Sequence, residues 1–284
     1  MKVRMYNVGF GDCFCLRDRK KSLLVDFGTN NSRIEGRPRR EIFDVIISDL
    51  STIKSKNLLL THFHMDHLSG LLYMMKKKDI SVDFGKIYLP DVFSKKEMSR
   101  TLVLLLLADL LKESGLPSRQ VSLFALVDAL LENKQNVELL SRGKLFENKY
   151  QALWPDTDVI RKETDEVYNR ICEDGKFKEV MDVLLEFAEK LRLIVWSMTA
   201  EGNKPAETVE KETDLTASEL TEQPEVRQKI IRAYVYEREF RRIKALPDFK
   251  KLLAWLNENQ INLRQFKHKI SIVFQLSLIH ISEP

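Results

Sequence analysis

Leu58-Leu59-Leu60-Thr61-His62-Phe63-His64-Met65-Asp66-His67-Leu68-Ser69-Gly70 is the stretch whose reading decides the fold. Three consecutive leucines ahead of a threonine predict a buried strand. The strand runs directly into a loop that holds three of the chain's five histidines. Ser69-Gly70 and the apolar residues behind them predict a helix over Ser69–Lys78. Imidazole and carboxylate are the ligand types that suit zinc, iron or manganese. His62 and His64 stand two residues apart, so in extended chain both side chains point the same way, toward one ion. Asp66 and His67 follow where the loop curls and can face a second ion beside the first. Two ions about 3.5–4 Å apart share a water, acidify it and clamp the displaced oxygen.

Upstream of this stretch, alternation over Lys2–Val8, then Cys13–Leu16 and Ser22–Asp26, predicts three strands separated by Gly9-Phe10-Gly11-Asp12 and by the solvated turn Arg17–Lys21. Asn30–Arg40 reads as a loop and Ile42–Leu50 as a helix. Downstream, Lys86–Leu89 is a strand stopped by Pro90, and Lys95–Glu113 and Ser118–Leu131 are helices. Val137–Leu140, Gly143–Phe146 and Tyr150–Trp154 are strand fragments. Apolar residues from Phe177 to Val195 recur at helical spacing, so one face of that segment is buried. Residues 201–225 set eight acids against two lysines and read as an acidic linker, while 225–251 reverse the sign on a basic helix broken at Pro247. Phe249–Leu256 is a last short helix, and Ile270–Phe274 returns to strand.

The composition bounds the function classes. Of 284 residues, 44% are apolar and 31% charged, which excludes a disordered chain. Leu102–Leu111 is too short to span a bilayer, which takes roughly 20 apolar residues, and it contains Asp109. It predicts a buried helix, and no membrane partner. With 46 basic and 42 acidic side chains the net charge is +4, too little to name a polyanion as partner. Cys13, Cys15 and Cys172 form no paired framework and read as reduced core thiols, and no secretory leader opens the chain, so the expected location is cytoplasmic. Six of the ten glycines precede residue 86, setting the N-terminal third apart from a glycine-poor remainder.

His62-Phe-His64-Met-Asp66-His67 resembles the His-x-His-x-Asp-His motif of the metallo-β-lactamase-fold hydrolases. Asn7-Val8-Gly9-Phe10-Gly11-Asp12-Cys13 is similar to the glycine-rich opening of the subgroup that includes the hydrolase domain of bacterial DNA-uptake competence proteins. Leu24-Val25-Asp26-Phe27-Gly28 is similar to the family strand whose aspartate supports the metal site. Tyr150–Pro155 and Ile270–Phe274 are similar to later strands. The resemblance implies an α/β fold, the αββα sandwich, and two divalent ions, zinc foremost with manganese or iron as alternatives. It implies His62 and His64 as ligands of the first ion and Asp66 and His67 as ligands of the second. Asp66 is also the candidate proton acceptor. It implies Asp26 as an outer partner of a ligand imidazole, the alternative being an ordinary turn carboxylate. Asp12 reads as a cap of the glycine turn.

The family's later ligands, a Gly-Asp turn and further histidines, find no match here. His268 precedes the last strand and reads as a surface histidine. Leu276–Pro284 resembles a translated transposon-derived sequencing adapter, which would make His280 foreign. The expected organisation is therefore the N-terminal part of the sandwich at 1–155, a helical insertion at 156–265, a returning strand at 266–275 and a non-native tail at 276–284, with the later ligands lost and activity impaired. The expected chemistry is water attack on an ester or phosphodiester, nucleic acid or nucleotide favoured over a β-lactam or thioester. Basic clusters at Arg17–Lys21, Arg33–Arg40 and Lys76–Lys78 suit phosphates, although each also reads as a solvated surface. The alternative is a non-enzymatic module that binds a protein partner through residues 156–265.

Overall fold

The computed structural model describes residues 1–18, 21–77, 83–112, 122–173, 175–200, 202 and 242–276. Six strands form the main sheet: β1 (Lys2–Met5), β2 (Phe14–Arg17), β3 (Ser22–Val25), β6 (Lys56–Leu59), β7 (Ile87–Pro90) and β8 (Val137–Leu140), in the spatial order β1-β2-β3-β6-β7-β8. β1, β2 and β3 are antiparallel, whereas β3, β6, β7 and β8 run parallel. Parallel neighbours need crossovers, and helices α1 (Arg39–Ser51), α2 (Met65–Lys76), α3 (Ser99–Lys112) and α4 (Ser122–Glu132) lie in them. β3 and β7 are buried along their whole length, as interior parallel strands are. β1 at the edge is exposed throughout and carries Lys2 and Arg4.

A second, three-stranded antiparallel sheet follows: β9 (Leu145–Phe146), β10 (Tyr150–Trp154) and β11 (Val273–Leu276), with β10 in the middle. Side-chain alternation divides the interior between the two faces of the main sheet. Leu24 and Leu58 point into the large core shared with the helices. Leu23, Val25, Leu59, Tyr88 and Leu140 point the other way, against Phe146, Tyr150, Ala152 and Ile272 of the second sheet side. The layers are helices, mixed sheet and second sheet, the mixed α/β class expected.

Helices α5 (Thr157–Cys172), α6 (Lys178–Ser197), α7 (Phe249–Glu258) and α8 (Arg264–Lys269) complete the described chain. Asp156 caps α5 by accepting from the backbone N–H groups of Asp158 and Val159. Ile160, Tyr168, Val180, Leu184, Leu191, Phe249 and Leu252 share the large core with Leu102–Ala108 of α3, which is buried on every side. No helix among the described residues is long and apolar enough to cross a membrane. Cys13 and Cys15 are buried and unbridged.

Some elements depart from the sequence reading. Asn30–Arg40 is not simply a loop: β4 (Arg33–Ile34) and β5 (Arg37–Pro38) pair as a short hairpin around Gly36, and α1 starts at Arg39. Ile34 is buried there, and that one anchor is too little periodicity to be read in advance. Lys269 ends α8 where a strand was expected to begin at Ile270, and β11 starts at Val273. Just before β11, the Ile272 N–H donates to the Thr61 carbonyl at 2.8 Å. The linker at 201–225 apart from Gly202, the basic helix before residue 242, and the tail beyond Leu276 with His280 lie outside the described residues.

Candidate metal centre

The C-terminal ends of β3 and β6 lie side by side because Val25 pairs with Leu59 in parallel register. Just past them the chain leaves the sheet, the position at which open α/β sheets bind ligands. Asp26 continues the pairing, its N–H donating to the Leu59 carbonyl at 2.8 Å. Beyond β6, Phe63 turns inward and packs 1% exposed against Phe93. Its neighbours His62 and His64 therefore turn to the other side. His64 has extended backbone and precedes the first turn of α2, where Asp66 sits at the positive end of the helix.

Three backbone segments meet beneath these side chains. A Cβ on Gly11 would stand 2.2 Å from the Gly28 carbonyl oxygen, and one on Gly28 would stand 2.6 Å from the Leu68 nitrogen. Both positions exclude any larger residue on packing grounds alone. The Asp12 N–H donates to the Asp66 carbonyl, the Gly28 N–H to the Asp12 carbonyl, and the Phe27 N–H to the His67 carbonyl. Ser69 Oγ donates to the Thr29 carbonyl and accepts from the Thr29 N–H, both at 2.9 Å. The loop 10–12, the turn 26–29 and the start of α2 are thus one fastened unit.

Asp26 is the hub of the polar network. Its carboxylate is 2% exposed and accepts from the Thr61 N–H at 2.8 Å, from Thr61 Oγ1 at 2.7 Å and from His67 Nδ1 at 2.9 Å. Thr61 has one hydroxyl proton, and the carboxylate takes it. Thr61 Oγ1 can then only accept from His62 Nδ1, 3.0 Å away. Both His62 and His67 are therefore protonated at Nδ1 and carry their free lone pair on Nε2. Asp26 sets one tautomer directly and the other through Thr61, the arrangement that orients metal-binding imidazoles.

The ring nitrogens converge. His62 Nε2 lies 3.1 Å from His64 Nδ1, close to the roughly 3.3 Å that separates two nitrogens bound tetrahedrally to one zinc ion. His67 Nε2 lies 3.9 Å from Asp66 Oδ2, and the His62 and His67 rings are 3.9 Å apart at their centroids. The donor atoms of His62, His64 and His268 all lie within 4.8 Å of one another, as do those of Asp12, Asp26 and His67. In the second group His67 offers Nδ1, which already donates to Asp26, so that group supports the imidazole from behind. The residues present fit a divalent ion at the Nε2 side.

Electrostatics follow from burial and crowding. Burial, reinforced by His67, His64, His268 and Lys267, pushes the His62 imidazole down to about 2, so it is neutral and ready to bind a cation. Burial opposes charge on His67, yet the Asp26 hydrogen bond and the charges of Asp26, Asp66 and Asp12 raise it overall. Burial raises the Asp26 carboxyl despite the hydrogen bonds from His67 and Thr61.

Of the residues expected from the sequence, His62, His64, Asp66 and His67 lie around one centre, with Asp26 behind His67. Asp12 is more than a turn cap: its carboxylate comes within 3.6 Å of His67 Nδ1. His268 is exposed, as read from the sequence, and its ring lies 4.6 Å from that of His64 and 5.3 Å from that of His62. Leu263, Phe266 and Ile270 at helical spacing place α8 against the core, but His268 lies on the opposite, exposed face of that helix, so no local pattern signals its nearness to His64.

No curated protein and no solved structure matches the chain. Residues 6–91, which hold Asp12, Asp26 and the whole Thr61–His67 stretch, match the family model of the metallo-beta-lactamase superfamily.

Proposed function

We propose that the chain is a metal-dependent hydrolase that holds two divalent ions, zinc foremost, one at His62 and His64 and the other at Asp66 and His67, and that it cleaves phosphodiesters of nucleic acid or nucleotides. The observation that carries this reading is the Asp26–Thr61 network, which holds His62 and His67 at Nδ1 and turns Nε2 of both toward the centre. Bound divalent ions supply Lewis acidity, acidifying water and offsetting charge on the oxygen displaced. Asp66, a carboxylate beside the centre, orients the attacking water and accepts its proton. Phe63 and Phe93, both buried, pack edge to face behind the histidine loop.

A phosphodiester is favoured by the surroundings. The β4–β5 hairpin presents Arg33 and Arg37 and the start of α1 presents Arg39 and Arg40, all exposed. The hairpin abuts the loop that leads to Asp12: Asn7 Nδ2 donates to Glu35 Oε1 at 2.8 Å, and the Phe10 N–H donates to Asn31 Oδ1 at 3.1 Å. Phe10 itself is 79% exposed on this anchored backbone and offers a flat apolar face to a base. The likeness of residues 7–13 to the DNA-uptake subgroup points the same way. Binding of a protein partner through 156–265 has less support, because the apolar faces of α5, α6 and α7 are spent on the shared core.

The test is metal analysis of the purified chain beside a His64→Ala/Asp66→Ala variant, with hydrolysis of a phosphodiester probe, a β-lactam and a thioester assayed in parallel. About two ions per chain in the parent, lost in the variant, and cleavage of the phosphodiester alone are expected. Equal metal in both proteins rules the reading out.

A further inference from the structure

The loop Gly9-Phe10-Gly11 carries a single side chain, and among the described residues it is the most exposed of the large apolar groups. Its backbone is nevertheless held on both sides. The Phe10 N–H donates to Asn31 Oδ1, and the Phe10 carbonyl accepts from the Asn30 N–H at 2.8 Å and from Thr29 Oγ1 at 3.1 Å. Both neighbours are glycine, so no adjacent side chain shields the ring. Neither could be larger: Gly9 has φ +70°, and a Cβ on Gly11 would stand 2.7 Å from the Asp66 carbonyl oxygen. The ring thus stands on fixed backbone at the rim of the centre, two residues before Asp12, whose carboxylate approaches His67. On its other side is the β4–β5 hairpin. A Cβ on Gly9 would lie 3.3 Å from Ile34 Cγ1, and Ile34 is next to Arg33 and pairs with Arg37.

An aromatic face beside guanidinium groups suits a single nucleic-acid strand, with a base on the ring and phosphates on the cations. In a duplex each base is covered by its neighbours in the stack, and exposing its face costs the energy of unstacking and unpairing. A ring already fixed by its backbone loses little freedom when a base settles on it. We propose that the substrate is an unpaired polynucleotide strand and that Phe10 determines this specificity. It stacks the base beside the scissile phosphate while Arg33 and Arg37 hold the next phosphates. The inference rests on the hydrolase reading given under Proposed function and deepens it from nucleic acid in general to single strands. Phe10 takes no part in bond breaking; it places the strand, and hydrolysis belongs to the centre.

The test uses the full chain as parent, Phe10→Trp, Phe10→Leu, Phe10→Ala and Arg33→Ala/Arg37→Ala. Binding is read by fluorescence anisotropy with phosphorothioate oligonucleotides, which resist cleavage: a single strand, a duplex of the same sequence and an abasic strand of the same length. The parent is expected to bind the single strand at least about fivefold tighter than the other two. Phe10→Trp keeps that preference. Phe10→Leu and Phe10→Ala weaken the single strand by about 5- to 150-fold, the worth of one stacked base, and leave the abasic strand unchanged. Arg33→Ala/Arg37→Ala weakens every strand and lowers the salt slope for the single strand by about 1.4. In cleavage of an ordinary strand with one abasic residue moved along it, the parent skips the linkage beside that residue and Phe10→Ala does not. Because Phe10 is exposed, its variants melt with the parent, and a lost preference is not a folding defect. Equal parental affinity for single strand and duplex, or parental single-strand affinity in Phe10→Ala, overturns the proposal while leaving the hydrolase reading in place. A parent that prefers the single strand and cleaves no phosphodiester overturns the hydrolase reading and supports the Phe10 platform.

Discussion

Replacing Asp26 by asparagine (Asp26→Asn) changes one atom and reverses the polarity of the network around the centre. The carboxylate accepts three hydrogen bonds: one oxygen takes the Thr61 N–H, and the other takes Thr61 Oγ1 and His67 Nδ1. The Thr61 N–H cannot turn, so the asparagine must keep its oxygen there and aim its NH2 at Thr61 Oγ1 and His67. Thr61 then accepts from the amide and donates to His62 Nδ1, while His67 Nδ1 becomes an acceptor. Both imidazoles move their proton to Nε2, the nitrogen that faces the centre, and can no longer bind a cation there. Loss of an outer partner of this kind costs about 10–100-fold in metal affinity, or about 1.4–2.8 kcal/mol per ion. Fold stability should change less. Charge-assisted hydrogen bonds worth about 1.5–3 kcal/mol each are weakened, but the burial that opposes charge on Asp26 is relieved at the same time. The assay is competitive Zn2+ titration of both proteins, with imidazole nitrogen shifts read by NMR on the metal-free chain. Parental affinity in Asp26→Asn, or a deprotonated Nε2 on His62 and His67 in that variant, would refute the tautomer argument.

Gly28→Ala is expected to lower the melting temperature and to loosen α2, at about 1–3 kcal/mol, because its Cβ would press on the backbone of Asp66 and Leu68. Denaturant unfolding checks it, and an unchanged midpoint would contradict the tight approach. Glu189 gives a pH-dependent contribution. Burial works against its carboxylate, but hydrogen bonds from Arg192 and Ser99 and the Arg192 charge hold it below the usual glutamate range. The folded pKa is depressed, so the stabilisation is full above about 4.3, the unbound value, and fades as pH falls through the lower folded value. Glu189→Gln should therefore cost about 2 kcal/mol at neutral pH and less in acid, measured by urea titration at both. Equal losses at the two pH values would refute the sign. Arg33→Ala/Arg37→Ala is expected to raise KM for a phosphodiester probe and flatten its salt dependence with kcat nearly unchanged. A KM that stays at the parental value would detach the hairpin from substrate.

The ligand types, their local order and the strand that delivers them were legible because they lie in one short stretch. There backbone geometry alone sets which side chains share a face: His62 and His64 to one side, Phe63 to the other. Burial of the central strands was equally legible from their leucines. Elements set by few residues were not. The β4–β5 hairpin rests on Ile34 and α8 on Leu263, Phe266 and Ile270, too little pattern to stand out from a loop.

What no local pattern holds is which distant residues arrive at the same place. Asp26 reaches Thr61 because β3 and β6 pair in parallel with Val25 against Leu59, and a sequence does not name a strand's neighbour. His268, about two hundred positions after His62, reaches the centre because α8 is tied to α3 and α5 by buried and half-buried lysines. Residue chemistry is carried locally along the chain. The hydrogen-bond state of each imidazole, and the company it keeps, depend on packing between segments far apart in sequence, and only the tertiary structure decides that.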